Sequence, residues 1–150
     1  MEIIRDKHKY SLQRVVEVML DNQTLAIQQC KCLIDYVSIH QNLPTTNLKK
    51  CEFVHKLVRA NVKFKKNPNK YQMVINPYAL LEMKVGDCKS FSMIVHGLLC
   101  ALNLKPKLRY VSYDNDPQPS HVYVIVDNVC IDATVPEFDK EYPYTFKYDY

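Results

Sequence analysis

Three residues far apart in the chain have the types that acyl-transfer chemistry needs: Cys88, His121 and Asp132. A thiol is a strong nucleophile only as the thiolate, so it needs a base, and the base needs a partner that fixes its tautomer. Cys88 follows Gly86-Asp87 and precedes a long apolar run. Asp87 is a natural N-cap there, and Cys88 falls in the first helical turn. Unpaired N–H groups and the positive end of the helix dipole favour thiolate over thiol at that position. A buried inert thiol would more often sit mid-helix, as Cys100 does. With two glycines in the whole chain, Gly86 serves a backbone purpose, either a positive φ or the close approach of another group.

Five histidines could supply the base. His8 lies in a charged segment, His40 ends a helical pattern, His55 neighbours a helix stripe and His96 sits mid-helix. His121 instead opens the strand pattern His-Val-Tyr-Val-Ile-Val. Asp127-Asn128 separates that pattern from Val-Cys-Ile-Asp-Ala-Thr, which is the spacing of a tight hairpin. If those two residues form the loop, Val126 pairs with Val129, Val124 with Ile131 and Val122 with Ala133, all on one apolar face. The other face pairs Ile125 with Cys130, Tyr123 with Asp132 and His121 with Thr134. His121 and Asp132 then become diagonal neighbours, roughly 5–8 Å apart by Cβ. The register that buries the valines brings the two polar residues together. His121 would take the Cys88 proton and return it to a leaving amine, while Asp132 orients the ring. The Cys88 N–H would supply one oxyanion donor, and Gln72 and Asn76 are upstream candidates for the second. The competing reading is a pair of ordinary hairpin polar residues.

These residues need elements to hold them. Helical patterns run from Tyr10 to Leu20 and from Thr24 to His40, the second with Ala26, Cys30, Leu33, Ile34 and Val37 on one face. Pro44-Thr45-Thr46-Asn47 breaks the chain and offers N-cap residues for a third helix striped by Leu48, Cys51, Val54, Leu57 and Val58. Asn61 to Lys65 reads as a short strand or loop, Asn67-Pro68-Asn69 as a turn, and Asn76-Pro77 as the opening of a short helix through Met83. From Cys88 to Asn103, Phe91, Ile94, Val95, Leu98 and Leu102 mark one buried helical face. Strand patterns follow at Lys107–Tyr113, His121–Val126 and Val129–Thr134, with a polar turn at Asp114 to Pro119. Helices followed by strands predict an α+β domain: N-terminal helices, then a central helix carrying the nucleophile at its start and packed on an antiparallel sheet.

Composition fits one globular domain. The chain has 150 residues, 47% of them hydrophobic and 24% charged, which excludes disordered, collagen-like and coiled-coil classes. Apolar runs reach five residues, far below the roughly 18 of a membrane span. The start MEIIRDKHKY lacks an apolar h-region, so no secretory signal is expected. Residues 1–75 carry a net +7 and residues 76–150 a net −3. The basic stretch Lys63, Lys65, Lys66 and Lys70, with Phe64 and Tyr71, has no nucleic-acid motif around it and reads as a solvated lysine face. Six cysteines without an export signal read as thiols, and Cys30-x-Cys32 lacks zinc-site spacing, so neither metal nor cofactor is expected. Tyr142, Tyr144, Phe146, Tyr148 and Tyr150 alternate with other residues. That period predicts an edge strand with an aromatic face or an arm that docks on a partner.

Gly86-Asp87-Cys88, the amphipathic helix, His121-Val122-Tyr123 and Ile131-Asp132 together resemble the transglutaminase-like superfamily, with its Cys–His–Asp order on a papain-like fold. Ile75-Asn76-Pro77-Tyr78-Ala79-Leu80-Leu81 is similar to the Pro-led helix before the cysteine in bacterial and phage members. The resemblance covers residues 75–134 and implies Cys88 as nucleophile, His121 as base and Asp132 as orienter. Many relatives carry a tryptophan near the histidine or aspartate, and this chain has none. Some bacterial proteinases of the group bind calcium through acidic residues just after the cysteine. Lys89 and Ser90 stand there, so no calcium site is expected. Small size resembles the phage or prophage members, which implies a cytoplasmic or virion location.

The expectation is a single domain over residues 1–150, with a helical part at 1–70, a catalytic core at 75–134 and an aromatic strand or arm at 138–150. Its expected role is a cysteine peptidase or amidase acting on a peptide or isopeptide bond of a protein substrate, with no nucleic-acid or membrane partner. The alternatives are a structural or assembly protein of virion type that keeps the fold, and a protein-glutamine acyltransferase. A short polar loop before His121 and the lack of tryptophan favour hydrolysis over transfer.

Overall fold

The apolar helix that begins at Cys88 requires cover on more than one side, and the order of the other elements supplies it. In the computed structural model of the protein, described over residues 2–4, 12–66 and 72–150 with side chains from 13–66 and 74–150, this helix is α5, Cys88–Ala101. Before it come β1 (Glu2–Ile4), α1 (Leu12–Asp21), α2 (Gln23–His40), α3 (Asn47–Asn61), β2 (Lys63–Phe64), β3 (Gln72–Val74), α4 (Pro77–Met83) and β4 (Val85–Gly86). After it come β5 (Lys107–Ser112), β6 (His121–Val126), β7 (Val129–Ile131) and β8 (Phe146–Asp149). Four of the strands form an antiparallel sheet in the order β7-β6-β5-β8. The architecture is α+β, with the helices on one side of α5 and the sheet on the other.

Every residue of α5 from Lys89 to Leu99 is buried, so the helix is enclosed all round rather than on the single face its periodicity suggests. Its apolar stripe faces the core. The remaining buried positions include Met93 and Leu99, which meet core on the other sides, and small or polar residues whose needs are met locally. Ser92 Oγ donates to the Val122 carbonyl at 3.0 Å, and Ser90 Oγ accepts from the Ile75 N–H at 3.3 Å. Helix α2 lies close against α5 through Ala26 and Cys30, because a methyl group at Gly97 would stand 2.6 Å from Cys30 Sγ and 3.0 Å from the Ala26 carbonyl. Burial holds the His96 imidazole neutral, with its pKa lowered to about 4 against the opposing hydrogen bond of the Pro106 carbonyl.

Helix α3 begins where the sequence offers a cap, with Thr46 Oγ1 accepting from the Lys49 N–H at 3.3 Å. Its buried residues are Cys51, Val54, His55 and Val58. The expected stripe is therefore rotated: Leu48, in the first turn, is exposed, and His55 takes a core position. The hairpin β6–β7 has the register the valines demand, pairing Val126 with Val129, Ile125 with Cys130 and Val124 with Ile131. The face bearing Tyr123 and Cys130 is covered as well, since Tyr144 packs against Val111, Tyr123 and Cys130. Tyr144, Tyr148 and Tyr150 thus pack on their own domain, while Tyr142 and Phe146 are exposed. β8 is an edge strand on β5, Tyr148 packs on the main core, and the Tyr150 ring meets Tyr110 edge-on at 5.7 Å. His8, Tyr10, Lys70, Tyr71 and the turn at 67–69 lie outside the described residues.

Candidate active site

The segment that delivers Cys88 is pinned from both sides. β2 pairs with β4 in parallel, with the Lys63 N–H on the Lys84 carbonyl and the Lys65 N–H on the Gly86 carbonyl, both at 2.9 Å. Of the two reasons for a glycine at 86, the structure realises the close approach. A Cβ there would lie 2.6 Å from Leu80 Cδ1 and 3.2 Å from Ser90 Cβ, pushing α4 off the start of α5. The positive φ falls instead on Lys84, at 62°, where α4 ends in a left-handed residue. Asp87 then caps α5, its Oδ1 accepting from the N–H groups of Lys89 at 3.1 Å and Ser90 at 3.3 Å. Among the described residues the Cys88 N–H makes no hydrogen bond, so it stays available to an oxyanion.

The hairpin presents the other two groups. His121 Nε2 lies 2.6 Å from Asp132 Oδ2. Asp132 follows the last residue of β7, and its Oδ1 accepts from both the Thr134 N–H at 3.1 Å and the Thr134 hydroxyl at 2.6 Å. Helix α3 fixes the same turn through its backbone: Arg59 donates to the Ala133 carbonyl and His55 Nε2 faces the Val135 carbonyl, each at 3.1 Å. Burial lowers the pKa of His55, more than the Val135 carbonyl raises it, which leaves a neutral ring donating Nε2–H.

With Nε2 held by Asp132, the His121 ring lies near enough to Cys88 for Cys88 to help raise its pKa. Burial alone would lower the pKa of His121. The hydrogen bonds and negative charge of Asp132 and Cys88 overcome that and raise it to about 10. Asp132 moves the opposite way: burial pushes it up, but His121 and Thr134 hold it below the usual carboxylate range. The arrangement favours an imidazolium beside the Asp132 carboxylate. Its sign for stability is definite, because a pKa raised from about 6.5 adds stability that is complete below that value and disappears as pH rises through about 10. The urea midpoint should therefore fall between neutrality and pH 10 by more in the native protein than in an Asp132→Asn variant. Parallel curves for the two proteins would show that the pair is not charged.

These residues open onto a groove of about 870 Å³. Phe64, Tyr113 and Tyr142 line it with Lys66, Ser120 and Pro143. The three rings are 42–45% exposed, so they form a rim rather than a closed lid.

No family model and no curated protein matches the sequence. Among solved structures, Legionella pneumophila LapG aligns with a TM-score of 0.56 at 12% identity, over 86% of this chain and 76% of that one. Its EGTA-treated form gives 0.54 at 13% identity over 87% and 75%, and its calcium-bound form 0.53 at 12% over 87% and 77%. A candidate cysteine protease from Cytophaga hutchinsonii overlaps at 0.46 and 13%, over 77% of this chain and 37% of its own. The fold is papain-like, of the transglutaminase type. At this identity the likeness concerns the fold alone.

A calcium ion does not fit the residues beside Cys88. Asp87 Oδ1 is taken by two backbone N–H groups and Oδ2 by the Lys89 ammonium, and among the described residues no three His, Cys, Asp or Glu cluster to hold a metal. Also among the described residues, no helix is long and apolar enough to cross a membrane.

Cys88, His121 and Asp132 meet in one place, but the oxyanion candidates fare differently. Asn76 caps α4, its Oδ1 accepting from the Ala79 N–H at 2.9 Å, and it is not among the residues lining the groove. The Gln72 side chain lies outside the described ones, while its backbone belongs to β3. Sequence reasoning missed Thr134 as the second partner of Asp132, although Asp-x-Thr is an Asx-turn signal. It also missed Lys89, and the groove rim supplied by Phe64, Lys66, Tyr113 and Tyr142, which come from three distant segments.

Proposed function

We propose that the protein is a cysteine hydrolase, a peptidase or amidase that works through an acyl-enzyme on Cys88. The observation that carries this reading is the chain of contacts Asp132–His121–Cys88 opening on a solvent-facing groove. The Cys88 thiolate attacks the substrate carbonyl carbon, a C–S bond forms, and the carbonyl electron pair moves to oxygen. The Cys88 N–H donates to that oxyanion, with Gln72 as the remaining candidate for the second donor. Collapse breaks the C–N bond, and the His121 imidazolium gives its proton to the leaving amine. The neutral imidazole then takes a proton from water, hydroxide attacks the thioester, and the C–S bond breaks to release the acid.

Hydrolysis is favoured over transfer because the aromatic rim is half-exposed and the Asp114–Ser120 loop is polar and mostly exposed, so water reaches the thioester. The structural or assembly reading drew on the aromatic C-terminus as a docking arm, and of those rings Tyr144 and Tyr148 pack on their own domain. The test is incubation with glutamine-containing and mixed peptide libraries plus a labelled primary amine, with both outcomes followed by mass spectrometry. Cleavage with little amine incorporation is expected. Efficient labelling without cleavage would favour the acyltransferase, and neither product from a folded protein would favour the non-catalytic role.

A further inference from the structure

Lys89 occupies a position that ordinary helix electrostatics argue against. It is the second residue of α5, where the dipole and free N–H groups disfavour a cation, and it is buried to 8% exposure beside an equally buried Asp87. Its ammonium donates to Asp87 Oδ2, and both side chains line the groove that holds Cys88. Burying a lysine costs several rotatable bonds and a hydration shell, so the charge must answer a need at this place.

Asp87 supplies that need. Its carboxylate is required as a cap, because its Oδ1 holds the N–H groups that fix the first turn of α5. The same carboxylate sits one residue from the nucleophile and is itself buried. Left alone, its negative charge would oppose both the Cys88 thiolate and the oxyanion that forms beside the Cys88 N–H. We propose that Lys89 is a positioning residue that balances the Asp87 charge, so that the cap can hold α5 without working against the nucleophile. Lys89 thereby serves as a tethered cation, which makes the site independent of calcium. This inference rests on the reading of Cys88 as nucleophile.

The test measures the rate at which Cys88 reacts with iodoacetamide at neutral pH in a Cys32→Ser background, with circular dichroism to confirm folding. Lys89→Met should slow Cys88 at least tenfold, and Lys89→Arg should stay within about threefold of the parent. Lys89→Met is exposed to misfolding, because it leaves a buried charge unpaired. The double variant Lys89→Met with Asp87→Asn keeps a capping residue and removes both charges, so it should fold and recover to within about threefold of the parent. EGTA and added calcium should leave the parent rate unchanged. The inference is overturned if folded Lys89→Met reacts at the parent rate, if the folded double variant stays tenfold slow, or if EGTA slows the parent. A parent in which Cys88 reacts no faster than the buried thiols would overturn the nucleophile reading and this inference together. A reactive parent with indifferent Lys89 variants would overturn only the second.

Discussion

Cys88→Ala is expected to remove the fast phase of thiol alkylation and to reduce turnover by roughly 10⁴-fold or more, the scale seen when a covalent nucleophile is lost. The contrast among the six cysteines makes the experiment decisive. Burial pushes up the thiols of Cys30, Cys100 and Cys130, with a neighbouring carboxylate, Asp132, adding to the effect at Cys130. Burial and the charges of Asp127 and Asp139 push Cys51 up to about 11. These four thiols should stay protonated and slow at neutral pH. Cys32 is exposed on α2 and accessible to the reagent, which is why peptide mapping or a Cys32→Ser background is needed. Cys88 has what the others lack: a helix start, a groove and an imidazolium. It should alkylate at least tenfold faster than Cys32. Uniform labelling of all six, or a fast phase that survives Cys88→Ala, would remove it as the nucleophile.

The parts of this site legible in the sequence are those where one local pattern had a single solution. In β6 and β7 the alternation of valines with polar residues allows one register, and a slip of one residue would send Val122, Val124 and Val126 to the wrong face. That register alone placed His121 beside Asp132. The cap at Asp87 and the apolar run after it fixed Cys88 at a helix start in the same way. Polar bonds between distant segments carry no period, so the clamp of His55 and Arg59 on the Ala133–Val135 backbone left no trace in the pattern. The His55 position itself misled: its burial rotates the α3 stripe away from Leu48 because a carbonyl 80 residues later accepts its proton. The parallel pairing of β2 with β4 was equally hidden, since two-residue strands offer no alternation to read. The lysines there were read as a solvated face, yet Lys66 and Phe64 border the groove. Gly86 was half legible. Its rarity pointed to a backbone constraint, but only the position of Leu80 decides which one.

Asp132→Asn is expected to slow acylation by roughly 10⁴-fold while leaving the fold intact, and Thr134 is the reason. Asp132 serves two customers with two oxygens: Oδ1 takes the Thr134 N–H and hydroxyl, and Oδ2 takes His121 Nε2. An asparagine has one oxygen and one NH₂ to distribute. The Thr134 N–H can only donate, so the amide oxygen must stay on that side, and the NH₂ turns toward His121. An NH₂ group donates, which forces Nε2 to accept and places the ring proton on Nδ1, the nitrogen left for Cys88. In that tautomer the imidazole cannot take the thiol proton, although every heavy atom is within a few tenths of an ångström of its native place. The cost should therefore fall on the chemical step: kcat collapses and KM changes little, while the protein stays folded with a melting temperature lowered at neutral pH by loss of the charged pair. Proton spectra of the His121 ring should show the exchanged tautomer directly. Releasing the constraint gives a second arm, since Thr134→Pro in the Asp132→Asn background removes both Thr134 donors and lets the amide flip. Partial recovery there would tie the loss to the amide orientation. Unchanged activity in Asp132→Asn would take Asp132 out of the site, and an unfolded His121→Ala would make that histidine structural.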